Sequence, residues 1–180
     1  MRPLQLIAVG LVLMLFDFNI GDPQIDVVPD PVGWGVIFAG VRGLSAAIPF
    51  RTAMRALAAL AGVISLLLWV PGLADGLRST DTAVLWALDL PAMAFVGTLA
   101  VAMMRAAYEG GDFSARGWWR AVVAGLVMTV LLPLLVYGGG SAGLVILVVT
   151  IALVTLVTCV ILCLVHAKRP WVDGPAATVA

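Results

Sequence analysis

The sequence predicts an all-α integral membrane protein, folded as a bundle of six transmembrane helices. Of its 180 residues, 63% are hydrophobic and only 11% are charged, and the mean hydropathy is +1.14. In soluble domains roughly a quarter of the residues are charged. Because a membrane span needs about 20 apolar residues, the chain accommodates about six spans with short connections and no soluble domain.

The spans follow from apolar runs that end at charged residues, prolines and glycines. The first run continues into Asp17 without a small-residue cleavage site, which predicts an uncleaved span and not a signal peptide. Asp30 and Pro31 predict the start of the second span, because aspartate caps a helix and proline is tolerated in its first turn. Pro133 predicts a bend in the fifth span. The predicted spans are 4–20, 31–47, 52–70, 82–104, 118–137 and 143–166; they form a single domain of residues 1–169, followed by a flexible cytoplasmic tail of residues 170–180.

The positive charges predict the orientation. With a cytoplasmic N-terminus and six spans, nine of the ten Lys and Arg residues fall on the inner side, and Arg78 falls on the outer side. Inner loops of membrane proteins carry this excess of positive charge, so both termini are predicted to be cytoplasmic. The nine inner residues are Arg2, Arg42, Arg51, Arg55, Arg105, Arg116, Arg120, Lys168 and Arg169.

An acidic loop connects the first two spans. Its carboxylates are Asp17, Asp22, Asp26 and Asp30, and no Lys or Arg occurs among them. We interpret them as keeping an outer loop solvated and capping the second span. The alternative is a bound divalent cation, since carboxylate oxygens are its preferred ligands, but position twelve of a calcium loop counted from Asp17 is Val28 where glutamate is needed.

The same loop resembles that of a group of small polytopic bacterial membrane proteins. These proteins carry an Asp-x-Leu-Pro-Asp-x-Ile-Gly-Tyr type motif, followed by a glycine-rich apolar helix and a basic turn. The matching segment is Asp-Val-Val-Pro-Asp-Pro-Val-Gly-Trp at residues 26–34. Asp17, Gly40 and Arg42 continue the pattern, whereas Val28, Pro31, Val32 and Trp34 depart from it. The resemblance covers roughly the first third of the chain and implies no catalytic residue.

Two charged residues fall within predicted spans, where they are energetically costly. At 1.5 Å per residue, Asp89 lies about 10 Å and Arg42 about 18 Å from the outer boundary. An extended arginine side chain bridges the difference of about 8 Å, so we expect an ion pair between the second and fourth spans, or an Arg42 side chain that extends to the inner surface. The alternative is a proton or cation relay through Asp89, with Asp17 at its outer mouth.

The sixth span carries Cys159, Cys163 and His166 on one helical face, at i, i+4 and i+7. We interpret them as two packed apolar cysteines and an interfacial histidine. A soft metal is the alternative, although three ligands on one helix need a further donor to complete a tetrahedral site. A disulfide is not expected in a helix toward the reducing side of the membrane.

The sequence contains no nucleophile elbow, HExxH motif or phosphate-binding glycine loop, so it predicts neither an enzyme nor a cofactor. The predicted role is a non-enzymatic structural or interaction component of a bacterial inner membrane. Its partners are the lipid bilayer and another copy of itself or another membrane protein, contacted through small-residue helix faces, and not nucleic acid. The alternative is a small transporter or ion-conducting protein that uses Asp89. A membrane-embedded enzyme is a third hypothesis, which requires the side chains of Asp17, Asp26 and Asp30 to converge on one point.

Overall fold

The structure, a computed structural model, describes residues 1–15, 19–20, 25–26, 30–69, 76, 82–139 and 142–173. Seven helices and one short pair of strands are formed by these residues. The elements are α1 (Pro3–Leu15), β1 (Asn19–Ile20), β2 (Ile25–Asp26), α2 (Asp30–Gly43), α3 (Arg51–Leu68), α4 (Thr82–Glu109), α5 (Phe113–Gly139), α6 (Ala142–His166) and α7 (Pro170–Asp173). The strands pair antiparallel, with Asn19 opposite Asp26 and Ile20 opposite Ile25.

The six main helices form a closed ring. Each packs against its neighbours in sequence, and α6 returns to pack against α1. The Nη1 atom of Arg2, just before α1, donates a hydrogen bond of 3.0 Å to the carbonyl oxygen of Ala167, just after α6, and so ties the two ends of the ring together. Across the interior, the rings of Trp34 on α2 and Phe95 on α4 meet edge to face, with centroids 5.6 Å apart.

Glycines set the close packing of α1 against α2. A Cβ atom at Gly10 would lie 2.6 Å from the carbonyl oxygen of Gly33, and one at Gly40 would lie 2.9 Å from that of Pro3. The two backbones are therefore nearly in contact, as small residues permit between membrane helices. Gly62 of α3 lies similarly close to Trp34, because its Cβ would be 3.2 Å from the Cβ of that tryptophan. These small-residue faces were expected to contact a partner, but within this chain they contact neighbouring helices.

Four helices are long and apolar enough to cross a membrane, so the chain is a multi-pass membrane protein. The segments that meet this criterion are Arg51–Leu68, Trp86–Glu109, Phe113–Pro133 and Val145–His166. The α1 helix, at 13 residues, is apolar but shorter. The outward surfaces of these segments carry large exposed hydrophobic side chains, such as Val63, Leu131 and Ile146, which suit a lipid environment.

Threonine hydroxyl groups inside the long helices form hydrogen bonds with the backbone of their own helix. Thr98, Thr129, Thr150 and Thr158 each donate to the carbonyl oxygen four residues earlier, at 2.7 to 2.9 Å. In lipid an unpaired hydroxyl would be costly, so this internal bond lets threonine occur at these positions.

Several predicted boundaries are confirmed and others are corrected. The first span was predicted to end at residue 20, but Asn19–Ile20 form β1. The second was predicted to end at residue 47, but α2 ends at Gly43. Helix α2 begins at Asp30 and Pro31, as predicted. The predicted connection between the fourth and fifth spans, residues 105–117, is too long, because α4 continues to Glu109 and α5 begins at Phe113. Loss of apolar character marks where lipid ends, whereas backbone hydrogen bonding continues into the polar region. The chain continues as a helix through both Pro91 and Pro133.

The predicted flexible tail is corrected for its first four residues. Pro170–Asp173 form α7, which packs against α4. Val172 is buried and Trp171 is partly buried against the core. The remaining predicted tail, residues 174–180, lies outside the described residues.

Candidate functional site

The nine Lys and Arg residues in the described part of the chain lie at one end of the ring, which we call the basic end. Contacts between helix termini bring them together there. The Nη1 atom of Arg51 donates 2.8 Å to the carbonyl oxygen of Leu44, and the guanidinium of Arg105 lies 4.8 Å above the ring of Phe50. Arg2 reaches Ala167 at the other side of the same end. The nine cations that were predicted to share one side of the membrane therefore share one end of the ring, while Arg78 lies outside the described residues.

Helix α7 covers part of the basic end and is fixed there by aromatic contacts. His166, at the end of α6, lies between two tryptophans, with ring centroids 6.0 Å from Trp119 and 5.5 Å from Trp171. Trp119 is fully buried, and His166 is nearly so. Neither His166 Nδ1 nor Trp119 Nε1 has a hydrogen-bond partner among the described groups. Gly110 permits the approach of α7, because a Cβ there would lie 2.6 Å from the Cβ of Trp171.

Asp112 joins the turn between α4 and α5 to α7. One carboxylate oxygen accepts the backbone N–H of Ala115 at 3.0 Å, which caps the start of α5. The other accepts Trp171 Nε1 at 3.3 Å and lies 3.8 Å from Arg169 Nε. The hydrogen bond from Ala115 is the main reason that the pKa of Asp112 lies below its ordinary value, and Trp171, Arg169 and His166 lower it further.

The turn that holds Asp112 depends on a left-handed residue. The backbone N–H of Asp112 donates to the carbonyl oxygen of Ala107 at 2.8 Å, and that of Gly110 to Ala106 at 2.9 Å. Between them Gly111 has φ of 73°, a conformation that favours glycine. The Gly-Gly pair thus ends α4 and directs the chain into α5 within three residues.

An open cleft of about 670 Å³ lies beside α7 at the basic end. Its walls come from the α2–α3 loop, the end of α4, the α4–α5 turn and the start of α7. Glu109, Asp112 and Arg169 supply its charged groups, while Ile48, Ala106 and Trp171 supply apolar surface. The lining includes no Ser, Thr, Cys, His or Lys. This mixture of charged and apolar groups suits binding of an amphipathic group.

The structure does not bring Asp89 and Arg42 together. Asp89 lies in the second turn of α4, on a stretch where none of the described side chains before Phe95 is buried, and it is exposed. Arg42 is exposed in the last turn of α2, at the basic end, where its carbonyl oxygen accepts Arg55 Nη2 at 3.4 Å. Arg105, which shares that end, is sixteen residues beyond Asp89 on the same helix, or about 24 Å at 1.5 Å per residue. The expected ion pair is therefore corrected: α2 and α4 run in the same direction, but Arg42 lies in the last turn of α2 whereas Asp89 lies in the second turn of α4, so the two residues lie at opposite ends of the ring.

The acidic loop is described only in part. Asp26 lies in β2 and Asp30 is the first residue of α2, while Asp17 and Asp22 lie outside the described residues. The structure consequently gives no geometry for a convergence of Asp17, Asp26 and Asp30, nor for a relay mouth at Asp17.

Cys159 and Cys163 are fully buried and reduced, and His166 is 4% exposed. The three side chains belong to the packed interior face of α6, as interpreted from their spacing. Over the described residues, no group of three or more His, Cys, Asp or Glu is placed to hold a metal ion. No protein family, curated protein or solved structure matches the chain.

Sequence reasoning did not identify Asp112, Trp171 and Gly110 as a connected group. The Gly-Gly-Asp sequence at residues 110–112 is a helix stop followed by an N-cap, so the turn itself had a detectable signal. No sequence signal indicated the contact between Asp112 and Trp171, because 59 residues separate them along the chain.

Proposed function

We propose that the chain is a non-enzymatic interaction component of a bacterial inner membrane, with six membrane-crossing helices and both termini in the cytoplasm. The orientation is supported by the gathering of all nine described cations at one end of the ring, since positive charge favours the cytoplasmic side. Helices α1 and α2 count as spans in this proposal because they pack antiparallel inside the same ring.

The observation that carries the interaction role is the open cleft at the basic end. The small-residue faces of α1, α2 and α3 are occupied by contacts within the chain, so they leave little for a partner. The cleft instead offers exposed Glu109, the Arg169 guanidinium and the Trp171 ring at a solvent-accessible edge. We propose that a segment of another protein, or of a second copy, binds there.

A transporter that uses Asp89 receives less support. A conducting path requires polar groups along the interior. Asp89 is exposed on the surface of α4, and the buried polar side chains among the described residues are Thr129, Thr155 and His166. The cleft lies at the other end of α4 from Asp89.

Topology is tested by labelling single introduced cysteines with a membrane-impermeant maleimide. The two native cysteines are fully buried and give a low background. Ser114, exposed beside the α4–α5 turn, is replaced in Ser114→Cys, and Gln24 of the acidic loop in Gln24→Cys. We expect Gln24→Cys to react in intact cells and Ser114→Cys only after permeabilisation. The opposite pattern would refute the proposed orientation.

The interaction role is tested by site-specific photo-crosslinking in the native membrane. A crosslinking residue is placed at Glu109 or Ala47 in the cleft, and at Val63 on the outward face of α3 as the matched control. We expect a discrete protein adduct from the cleft positions and none from Val63. An adduct from Val63 alone would show that the partner binds the side of the bundle.

A further inference from the structure

The turn from α4 to α5 carries exposed aromatic rings stacked with arginine. We call Arg105, Tyr108, Phe113, Arg116 and Arg120 the α4–α5 corner. The Arg116 guanidinium lies 4.4 Å above the Tyr108 ring, and the Tyr108 and Phe113 rings meet edge to face at 6.1 Å. Phe113 is 67% exposed and Tyr108 54% exposed. Rings held together on an outer surface are characteristic of the membrane interface, where one part is apolar and another is hydrated.

The arginines of the corner are not neutralised by the protein. Arg105, Arg116 and Arg120 are all exposed. None of the described carboxylates lies within ion-pair distance of them, although Asp112 pairs with Arg169 nearby. Arg116 and Arg120 are four residues apart on α5, which places them on one face about 6 Å apart. Two guanidinium groups at this spacing, neither paired with a described carboxylate, can hold one phosphate between them.

The same face of α5 becomes apolar toward the middle of the bundle. Val127 and Leu131 continue the Arg120 face by seven and eleven residues, and they are 47% and 51% exposed. A ligand on this face would therefore meet cations at one end and an exposed aliphatic stripe along the rest. That gradient matches an amphiphile with an anionic head and favours a phospholipid over free phosphate.

We propose that the α4–α5 corner is a binding site for an anionic phospholipid. Arg116 and Arg120 hold its phosphate, the Tyr108 and Phe113 rings pack beside the head group, and an acyl chain lies along Val127 and Leu131. This inference requires a multi-pass membrane protein but neither the proposed orientation nor the cleft partner, so its failure would leave those proposals standing.

The test is native mass spectrometry of the detergent-purified protein, titrated with phosphatidylglycerol or phosphatidylcholine. The variant Arg116→Gln/Arg120→Gln is compared with Arg42→Gln/Lys168→Gln, which removes the same charge from exposed positions at the same end. We expect the corner variant to bind phosphatidylglycerol about 25-fold more weakly, from about fivefold for each arginine near an anionic head group. The control variant should bind like the wild type, and phosphatidylcholine should bind weakly to all three.

Three outcomes would overturn the proposal. Equal weakening in both double variants would show general attraction to the basic end and no defined site. Equal binding of the two lipids by the wild type would show no selection for negative charge. Displacement of the lipid by millimolar inorganic phosphate or an acidic peptide would show that the acyl chain contributes nothing.

A conservative variant keeps the test valid if the double variant is poorly folded. Arg116→Lys retains the charge but loses the flat guanidinium that stacks on Tyr108. We expect it to retain part of the phosphatidylglycerol binding, between the wild type and the double variant. Binding unchanged from the wild type in Arg116→Lys, together with wild-type binding in Arg120→Gln, would contradict the assignment.

Discussion

Replacing Gly10 with alanine tests the packing of α1 against α2 most directly. The added Cβ would lie 2.5 Å from Ile37 Cγ1 and 2.6 Å from the carbonyl oxygen of Gly33. Ordinary contact begins near 3.4 Å, so the backbone contact is about 0.8 Å too short. A side-chain atom such as Ile37 Cγ1 can rotate away, but the Gly33 carbonyl is fixed within α2. The helices must therefore separate, which loosens the packing around Ile7 and Ile37.

We expect Gly10→Ala to lower the free energy of unfolding by about 1–3 kcal/mol, the usual range for overpacking a tight interior. For a chain of this size that corresponds to a fall in Tm of roughly 2–4 °C per kcal/mol. The measurement is thermal unfolding in mild detergent, monitored through the reactivity of the buried Cys159 and Cys163 thiols. Gly40→Ala should show a smaller loss, since its closest backbone contact, the Pro3 carbonyl oxygen, lies at 2.9 Å.

Gly35→Ala on α2 is the matched control, because nothing lies within 4 Å of a Cβ at that position. Alanine is the better helix former by about 1 kcal/mol in water, so this variant should be neutral or slightly stabilised. If Gly10→Ala and Gly35→Ala unfold at the same temperature, α1 and α2 do not pack as closely as described.

Two further predictions concern charged groups. Asp112→Ala should lower the free energy of unfolding by about 1 kcal/mol, because the cap of α5 is lost. It should also increase maleimide labelling of a Val172→Cys reporter on α7. Asp112→Asn keeps a capping oxygen, so both effects should be smaller. The pKa of Asp112 is lower in the folded protein than in the unfolded chain. Its stabilising effect should therefore be complete above the unfolded pKa of about 3.9 and lost as the pH falls through the folded value. Melting curves at pH 3 to 7 should show this dependence in the wild type and not in Asp112→Ala. Asp89→Asn should change the free energy of unfolding by no more than about 0.5 kcal/mol, since the carboxylate is exposed and contacts no described partner. A larger loss in Asp89→Asn would mean that the side chain has a partner in the native bilayer.

The interior of the bundle shows how far helix periodicity extends. Apolar runs located all six main helices to within a few residues at most ends, because a lipid-facing helix must be apolar over its length. Periodicity also placed Cys159, Cys163 and His166 on one face, and that face is buried. It did not tell an inward face from a lipid-facing one, because both are apolar. Small-residue helix faces were accordingly expected to contact a partner, whereas Ala58 and Ala61 on such a face of α3 are buried within the chain.

The candidate site was less accessible from the sequence. Depth along each helix suggested that Asp89 and Arg42 were within reach, because a difference between two approximate depths does not include the direction of each side chain. The cleft arises where four separate parts of the chain meet. Its residues have no shared spacing, so no local pattern identifies them.

The sequence by itself determined that the protein lies in a membrane, where its helices are and which helix ends carry positive charge. These properties depend on local hydropathy and composition. Only the tertiary structure decided that the helices close into a ring, that glycines bring α1 and α2 into backbone contact, and that α7 docks on Asp112 and His166. These features depend on shape and on contacts between distant segments. The free energy of such contacts is a property of the packed pairs and not of any single stretch of sequence.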